Sequence, residues 1–132
     1  MADEGATNCK VVLLGESGVG KTSIINRYTL NTFKSQRLPT TGANFVQKTI
    51  VLEDENKSIK FEIWDTAGQE NFRSLVKVFY KNAAVCILVY DITRKSSFDE
   101  LKKYWVNEIK ENTPSDTSKN IYIIIIIIFL YN

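Results

Sequence analysis

Val11-Val12-Leu13-Leu14-Gly15-Glu16-Ser17-Gly18-Val19-Gly20-Lys21-Thr22 joins an apolar tetrapeptide to a glycine-rich turn. Lys21 to about Leu30 then carries Ile24, Ile25 and Tyr28 at helical spacing. A short run that is apolar at every position suits a strand covered on both faces, the habit of a parallel sheet. From Gly15 onward the residues fit G-x-x-x-x-G-K-[ST], between a buried strand and the start of an amphipathic helix, which is where that motif has to lie. Glycines let the backbone fold into a concave nest of N–H groups, and the helix adds its positive N-terminal end, so the turn suits a polyphosphate. The Lys21 ammonium is the group to neutralise β- and γ-phosphate oxygens, and the Thr22 hydroxyl is a ligand for Mg²⁺, a hard cation that prefers oxygen. The alternative is a turn that merely joins strand to helix. Alone, the loop names neither the base of a nucleotide nor the fate of its phosphate.

Outward from this stretch, a polar loop runs from Asn31 to Asn44. Phe45 to Leu52 and Ser58 to Asp65 bracket Asp54-Glu55-Asn56-Lys57, with Ile59, Phe61 and Ile63 alternating with Lys60 and Glu62, which predicts a β-hairpin. Ala83 to Tyr90 is a second wholly apolar run, followed by Asp91, and reads as another buried strand. Ser97 and Glu100 have capping-box spacing, and Phe98, Leu101, Trp105 and Ile109 recur on one face until Thr113-Pro114 ends the helix. Strands alternating with helices predict an α/β domain whose sheet is mostly parallel, flanked by helices, with one antiparallel hairpin.

Composition narrows the function. A chain of 132 residues, 44% apolar and 24% charged, is one globular domain, which excludes a disordered tail or a fibrous repeat. Seventeen basic against fifteen acidic side chains leave a net charge of +2 without clustering, too weak a field to collect nucleic acid. Cys9 and Cys86 sit within apolar runs, where a thiol packs as a small hydrophobe. No histidine is present, so Ser-His-Asp, Cys-His and zinc-type chemistry are excluded. Met1-Ala2-Asp3-Glu4-Gly5 has neither the pattern of a signal peptide nor a myristoylation glycine, and reads as cytoplasmic.

A second cluster follows the hairpin: Trp64-Asp65-Thr66-Ala67-Gly68-Gln69-Glu70. Asp65 can hold the hydration shell of Mg²⁺, Gly68 can bring its N–H to a γ-phosphate, and Gln69 can orient water. By itself Asp-x-x-Gly is as often an ordinary exit from a strand. Joined to the phosphate loop, it makes the chain resemble a Ras-superfamily small GTPase. Lys60 to Glu70, Phe79-Tyr80 and Leu88-Val89-Tyr90-Asp91-Ile92-Thr93 are similar to the Rab group, and the resemblance covers roughly residues 8 to 121.

The resemblance implies a P-loop NTPase fold, here an incomplete small-GTPase domain that binds GTP or GDP with Mg²⁺. It implies hydrolysis of GTP as a molecular switch in intracellular vesicle trafficking. Thr40-Thr41-Gly42-Ala43-Asn44-Phe45 is similar to the Rab switch I, which gives Thr40 contacts to Mg²⁺ and the γ-phosphate. Nucleotide contacts fall on Gly15, Ser17, Gly18, Val19, Gly20, Lys21, Thr22, Ser23, Thr40 and Gly68, metal contacts on Thr22, Thr40 and Asp65, and the catalytic roles on Lys21 and Gln69. Phe45, Trp64 and Phe79 match the aromatic trio on which Rab effectors and regulators dock; the alternative is that all three are hairpin and core packing. Exchange factors, activating proteins and effectors at the switches are the implied partners. No motif places an arginine to act in cis, so fast hydrolysis calls for one from an activating protein. Asn71 stands where Rabs usually carry arginine and Asn82 where many carry glycine, which bears on partner preference. Intact members attach to the cytosolic face of endomembranes through C-terminal prenylation, which this sequence lacks.

Three segments are expected: a flexible N-terminus at 1–7, the N-terminal two-thirds of the GTPase domain at 8–121, and an isoleucine-rich aberrant tail at 122–132. Asn120-Ile121-Tyr122-Ile123 starts a fifth strand, but the family's Asn-Lys-x-Asp guanine motif would fall on Ile128, Phe129 and Tyr131, which cannot do its work. Lys119 to Asn132 uses only residues encodable by A and T, consistent with read-through of non-coding sequence, an early stop in a degenerate gene, or a natural isoleucine-rich strand. Ile121 to Tyr131 is too short to span a bilayer, which takes about 20 residues in a helix, and is an aggregation hazard on an exposed edge. The competing function is a truncated, non-catalytic chain that cannot hold nucleotide. An ATP-using P-loop enzyme accounts less well for Asp65 to Glu70.

Overall fold

Val11, Val12, Leu13 and Leu14 are all buried because the sheet they run through is covered on both sides. The computed structural model describes residues 5–32, 43–66, 83–112 and 121–127. Its strands are β1 (Ala6–Leu14), β2 (Ala43–Leu52), β3 (Lys57–Thr66), β4 (Val85–Asp91) and β5 (Ile121–Ile127), in the order β2-β3-β1-β4-β5. Among the described strands only the β2–β3 pair is antiparallel; β1 runs parallel to β3 and β4, and β5 parallel to β4.

Side chains alternate across β1 with the period of two that a strand imposes. Val11 and Leu13 join Val19, Ile25, Ile63 and Val89 on the side of helix α1 (Lys21–Leu30). Val12 and Leu14 turn the other way, to Ala83, Cys86, Leu88, Leu101, Trp105 and Ile109. The last three come from a helical segment made of α2 (Lys95–Glu100), a π-helical stretch at Leu101–Trp105, and α3 (Val106–Asn112). Burial of those three side chains, each 2% exposed or less, fixes that segment to the sheet.

Three local features differ from the sequence reading. β1 begins at Ala6, so Ala6 and Thr7, read as part of the flexible N-terminus, pair with Ser58 and Ile59. Polar outer residues of β1 carry no apolar signal, and the ladder with β3 alone extends the strand. Ser97 is not an N-cap: Arg94 holds that position without a side-chain cap bond, and Ser97 lies buried in the first turn. Its hydroxyl donates to Arg94 O at 2.7 Å, with Asp91 O at 3.1 Å, and accepts from Asp91 N at 3.0 Å, stitching the helix to the end of β4. The helix also carries the π-helical stretch, which the apolar spacing does not announce. The hairpin turns through a 3-10 segment at Glu53–Glu55 and a left-handed Asn56, a conformation asparagine tolerates well. β5 pairs from Val85↔Ile121 to Asp91↔Ile127, so the ladder begun at Ile121 continues to Ile127.

Candidate functional site

The carboxyl ends of β1, β3 and β4 lie side by side, and in parallel α/β sheets that edge is where ligands bind. From β1 comes the phosphate loop. Gly15 adopts φ 151°, and a Cβ there would stand 2.3 Å from the carbonyl oxygen of Val89, so the strand-to-loop transition admits only glycine. Val19 is fully buried and plugs the loop into the core beside Leu13 and Ile25. Gly18 and Gly20 have left-handed φ of 78° and 106°, which turns the chain sharply into α1. Gly20 offers no side-chain cap, and the first turn of α1 holds no acidic residue, so the positive helix end faces the loop without a capping carboxylate of its own.

Lys21 folds back across the loop. Its ammonium donates to the carbonyls of Gly15 and Glu16, both at 2.8 Å, and the residue is 5% exposed. Burial is the main influence on it and pushes the ammonium down to about 8, while the Asp65 and Glu16 carboxylates act upward and Arg94 downward. A buried cation gains most from further negative charge, which is what a polyphosphate brings.

From β3 come Asp65 and Thr66, both buried. The Thr66 hydroxyl donates to Leu13 O at 2.5 Å and ties the ends of β3 and β1 together. That bond brings Asp65, paired in register with Leu13, to the phosphate loop, where the Thr22 hydroxyl donates to Asp65 Oδ2. A hydroxyl and a buried carboxylate in direct contact form an all-oxygen donor pair, and this fits Mg²⁺. Among the described residues no group of three His, Cys, Asp or Glu is found that could hold a metal, and a Thr–Asp pair that leaves its other positions to phosphate and water needs none.

Of the residues expected to act, Gly15, Ser17, Gly18, Val19, Gly20, Lys21, Thr22 and Ser23 are contiguous here, with Ser23 half-buried in the first turn of α1, and Asp65 joins them. Thr40, Gly68, Gln69 and Phe79 lie outside the described residues. Phe45 and Trp64 face each other across the hairpin, ring centroids 4.7 Å apart, with Phe45 exposed and Trp64 half-buried.

One site residue escapes the motifs. Arg94, after β4, donates from Nη2 to Ser17 O at 2.8 Å and lies 3.5 Å from Glu16 Oε2. Its position is held by Asp91, whose Oδ1 accepts from the N–H and hydroxyl of Thr93, and whose carbonyl accepts from Arg94 N. The sequence does contain a signal: Asp91-Ile92-Thr93 forms an Asx-type turn straight after a buried strand adjacent to β1, so the next residue emerges beside the phosphate loop.

Comparison with known proteins gives the same picture. Residues 10–127 match the Ras family. The human "Ras-related protein Rab-31" is 49% identical over 107 residues, covering 81% of this chain and 53% of that protein. The "GTP-binding protein ypt5" of Schizosaccharomyces pombe is 46% identical over 107 residues, covering 81% and 50%. The "Ras-like GTP-binding protein RYL2" of Yarrowia lipolytica is 44% identical over 109 residues, covering 83% and 51%. The chain thus spans about half the length of the curated relatives it matches. With a glycine-lined loop closed over by Lys21, a Thr22–Asp65 pair at its mouth and these relatives, the chain belongs to the Ras family of small GTPases, within its Rab group.

Proposed function

We propose that this chain carries the phosphate and switch half of a Rab-type GTPase, which binds GTP and GDP with Mg²⁺, hydrolyses GTP, and switches partners in intracellular vesicle trafficking. The observation that supports this best is the contact of Thr22 with Asp65 at the mouth of a loop already crossed by Lys21. β1 and β3 have to end together for those side chains to meet. Mg²⁺, when bound, would be held by Thr22, Asp65 and Thr40 and would supply neutralisation of phosphate charge.

The chain's own residues do the rest by positioning. Loop amides from Gly18 to Lys21 cradle the phosphates, and the Lys21 ammonium, two of whose three donors hold the carbonyls of Gly15 and Glu16, turns its charge to a phosphate oxygen. Gln69 orients a water for in-line attack on the γ-phosphorus, and no covalent intermediate is required. Thr40 and Gly68 contact the γ-phosphate, so its loss releases the switches and their partners. Phe45, Trp64 and Phe79 then form the surface read by regulators and effectors.

Isothermal titration of the purified chain with GTP and ATP, with and without Mg²⁺, tests the reading. Mg²⁺-dependent binding that prefers GTP supports it, and Gln69→Leu should slow hydrolysis at saturating nucleotide without abolishing binding. Equal rates for the wild type and Gln69→Leu would remove the role of Gln69. A second reading draws on Ile128, Phe129 and Tyr131, which stand where the guanine-binding motif is expected and lie outside the described residues. On that reading the chain holds phosphate weakly and without base selectivity, and equal weak binding of GTP and ATP would favour it.

A further inference from the structure

We infer that Arg94 is a positioning residue for the polyphosphate site, neutralising the Glu16 carboxylate and holding the Ser17 carbonyl so that the loop offers amides and no uncompensated negative charge to a phosphate chain. The inference rests on the nucleotide-binding reading above.

Glu16 is an anomaly in an anion site. It is the second residue of the loop, and its carboxylate repels the ligand that the amides and the helix end attract. Glu16 Oε2 is screened from solvent, and its ionic partner is Arg94 Nη2 at 3.5 Å. The same nitrogen donates to Ser17 O at 2.8 Å, so one guanidinium serves both a charge and a backbone acceptor of the loop. Its Nη1 stands 3.7 Å from the point where a Cβ on Gly18 would sit, so the guanidinium lies alongside the loop. Carbonyl and amide of a peptide unit point in opposite directions, so holding Ser17 O on Arg94 turns the Gly18 amide away from the guanidinium. Arg94 sits 77 residues from Ser17 in sequence, and the Asp91–Thr93 turn and Ser97 fix the backbone on either side of it. Arginine remains charged at any working pH, and its rigid fork suits two acceptors better than the point charge of lysine.

The test is a double-mutant cycle on nucleotide affinity. GDP binding to the purified chain is measured with Mg²⁺ at low and at high salt for Arg94→Gln, Glu16→Gln, the double variant, Arg94→Lys, and Lys95→Gln as a control that removes a neighbouring exposed charge. Arg94→Gln should weaken binding about 5- to 10-fold at low salt, and less at high salt. Glu16→Gln should restore most of that loss in the Arg94→Gln background, and Arg94→Lys should recover part of it. Lys95→Gln should leave affinity near that of the wild type. An unaffected Arg94→Gln, a failed rescue by Glu16→Gln, or an equal loss in Lys95→Gln would overturn the proposal. If the wild type binds no nucleotide, the GTPase reading itself fails, and hydrogen exchange at Gly18, Val19 and Gly20 in the ligand-free chain decides the role of Arg94. Faster exchange in Arg94→Gln sustains the loop contact, and equal exchange removes it.

Discussion

Gly15 shows how a single position can be dictated by its neighbours: a methyl group there would lie 2.3 Å from Val89 O, at a φ of 151° that other residues rarely adopt. Gly15→Ala should therefore cost about 3 kcal/mol or more, measured by urea unfolding, where Gly5, also at a positive φ of 106° but with nothing within 4 Å of its Cβ position, should lose only the backbone-strain part. Cys86 is the second case. Burial on β4 pushes its thiol up to about 11, so at pH 8 the reactive thiolate is scarce. In a Cys9→Ser background, iodoacetamide should modify folded Cys86 about 100-fold more slowly than the unfolded chain at pH 8. That rate should climb about tenfold per pH unit until the folded thiol titrates. Rapid modification at pH 8 would show that β4 is open to solvent. At this scale the sequence was informative wherever chemistry demands a residue type, as for Gly15, Lys21, Thr22 and Asp65. For Arg94 it held only an indirect trace, the Asp91-Ile92-Thr93 turn after β4, because a guanidinium that reaches a loop across the sheet edge makes no motif of its own.

Elements were legible in proportion to their burial. α1, β4 and the hairpin strands fall within two residues of where their apolar spacing puts them, since covered faces leave a periodic trace. The outer half of β1 is partly exposed and left none. Ser97 misled because capping-box spacing also fits a serine whose hydroxyl bonds back into its own first turn. Two contacts carry testable weight at this scale. Thr66→Val removes the bond to Leu13 O and leaves a carbonyl without that donor, which should destabilise the chain by about 1–3 kcal/mol. Because the same bond aligns Asp65 with Thr22, nucleotide affinity should fall as well, a loss that calorimetry separates from unfolding by working well below the melting temperature. Trp105→Ala empties the centre of the cluster that holds Leu101, Ile109 and Val12, and should cost about 3–5 kcal/mol by denaturant unfolding. A cost under about 1 kcal/mol at either position would mean the sheet is held by other contacts.

Over the whole molecule, the parallel strands β3, β1 and β4 end along one edge of a sheet covered on both faces, and the loop from Gly15 to Thr22, Asp65 and Arg94 gather there. The α/β class followed from two wholly apolar runs at Val11–Leu14 and Ala83–Tyr90, since only strands hidden on both sides can dispense with polar positions. The order β2-β3-β1-β4-β5 did not follow from pattern, because pairing partners far apart in sequence are chosen by packing. Among the described residues no helix is long and apolar enough to cross a membrane. Binding of a nucleotide's phosphates together with Mg²⁺ by the turn from Gly15 to Thr22, with Asp65 beside it, is what the proposed function requires. Its most direct measurement is calorimetric titration of the purified chain with GTP, with Mg²⁺ and with Mg²⁺ chelated, for the wild type, Lys21→Asn and Asp65→Asn. Binding should depend on Mg²⁺ in the wild type, fall about 100-fold or more in Lys21→Asn, and lose most of its Mg²⁺ dependence in Asp65→Asn. Binding of equal strength in all three chains, or none in the wild type at millimolar GTP, would contradict that role for the turn.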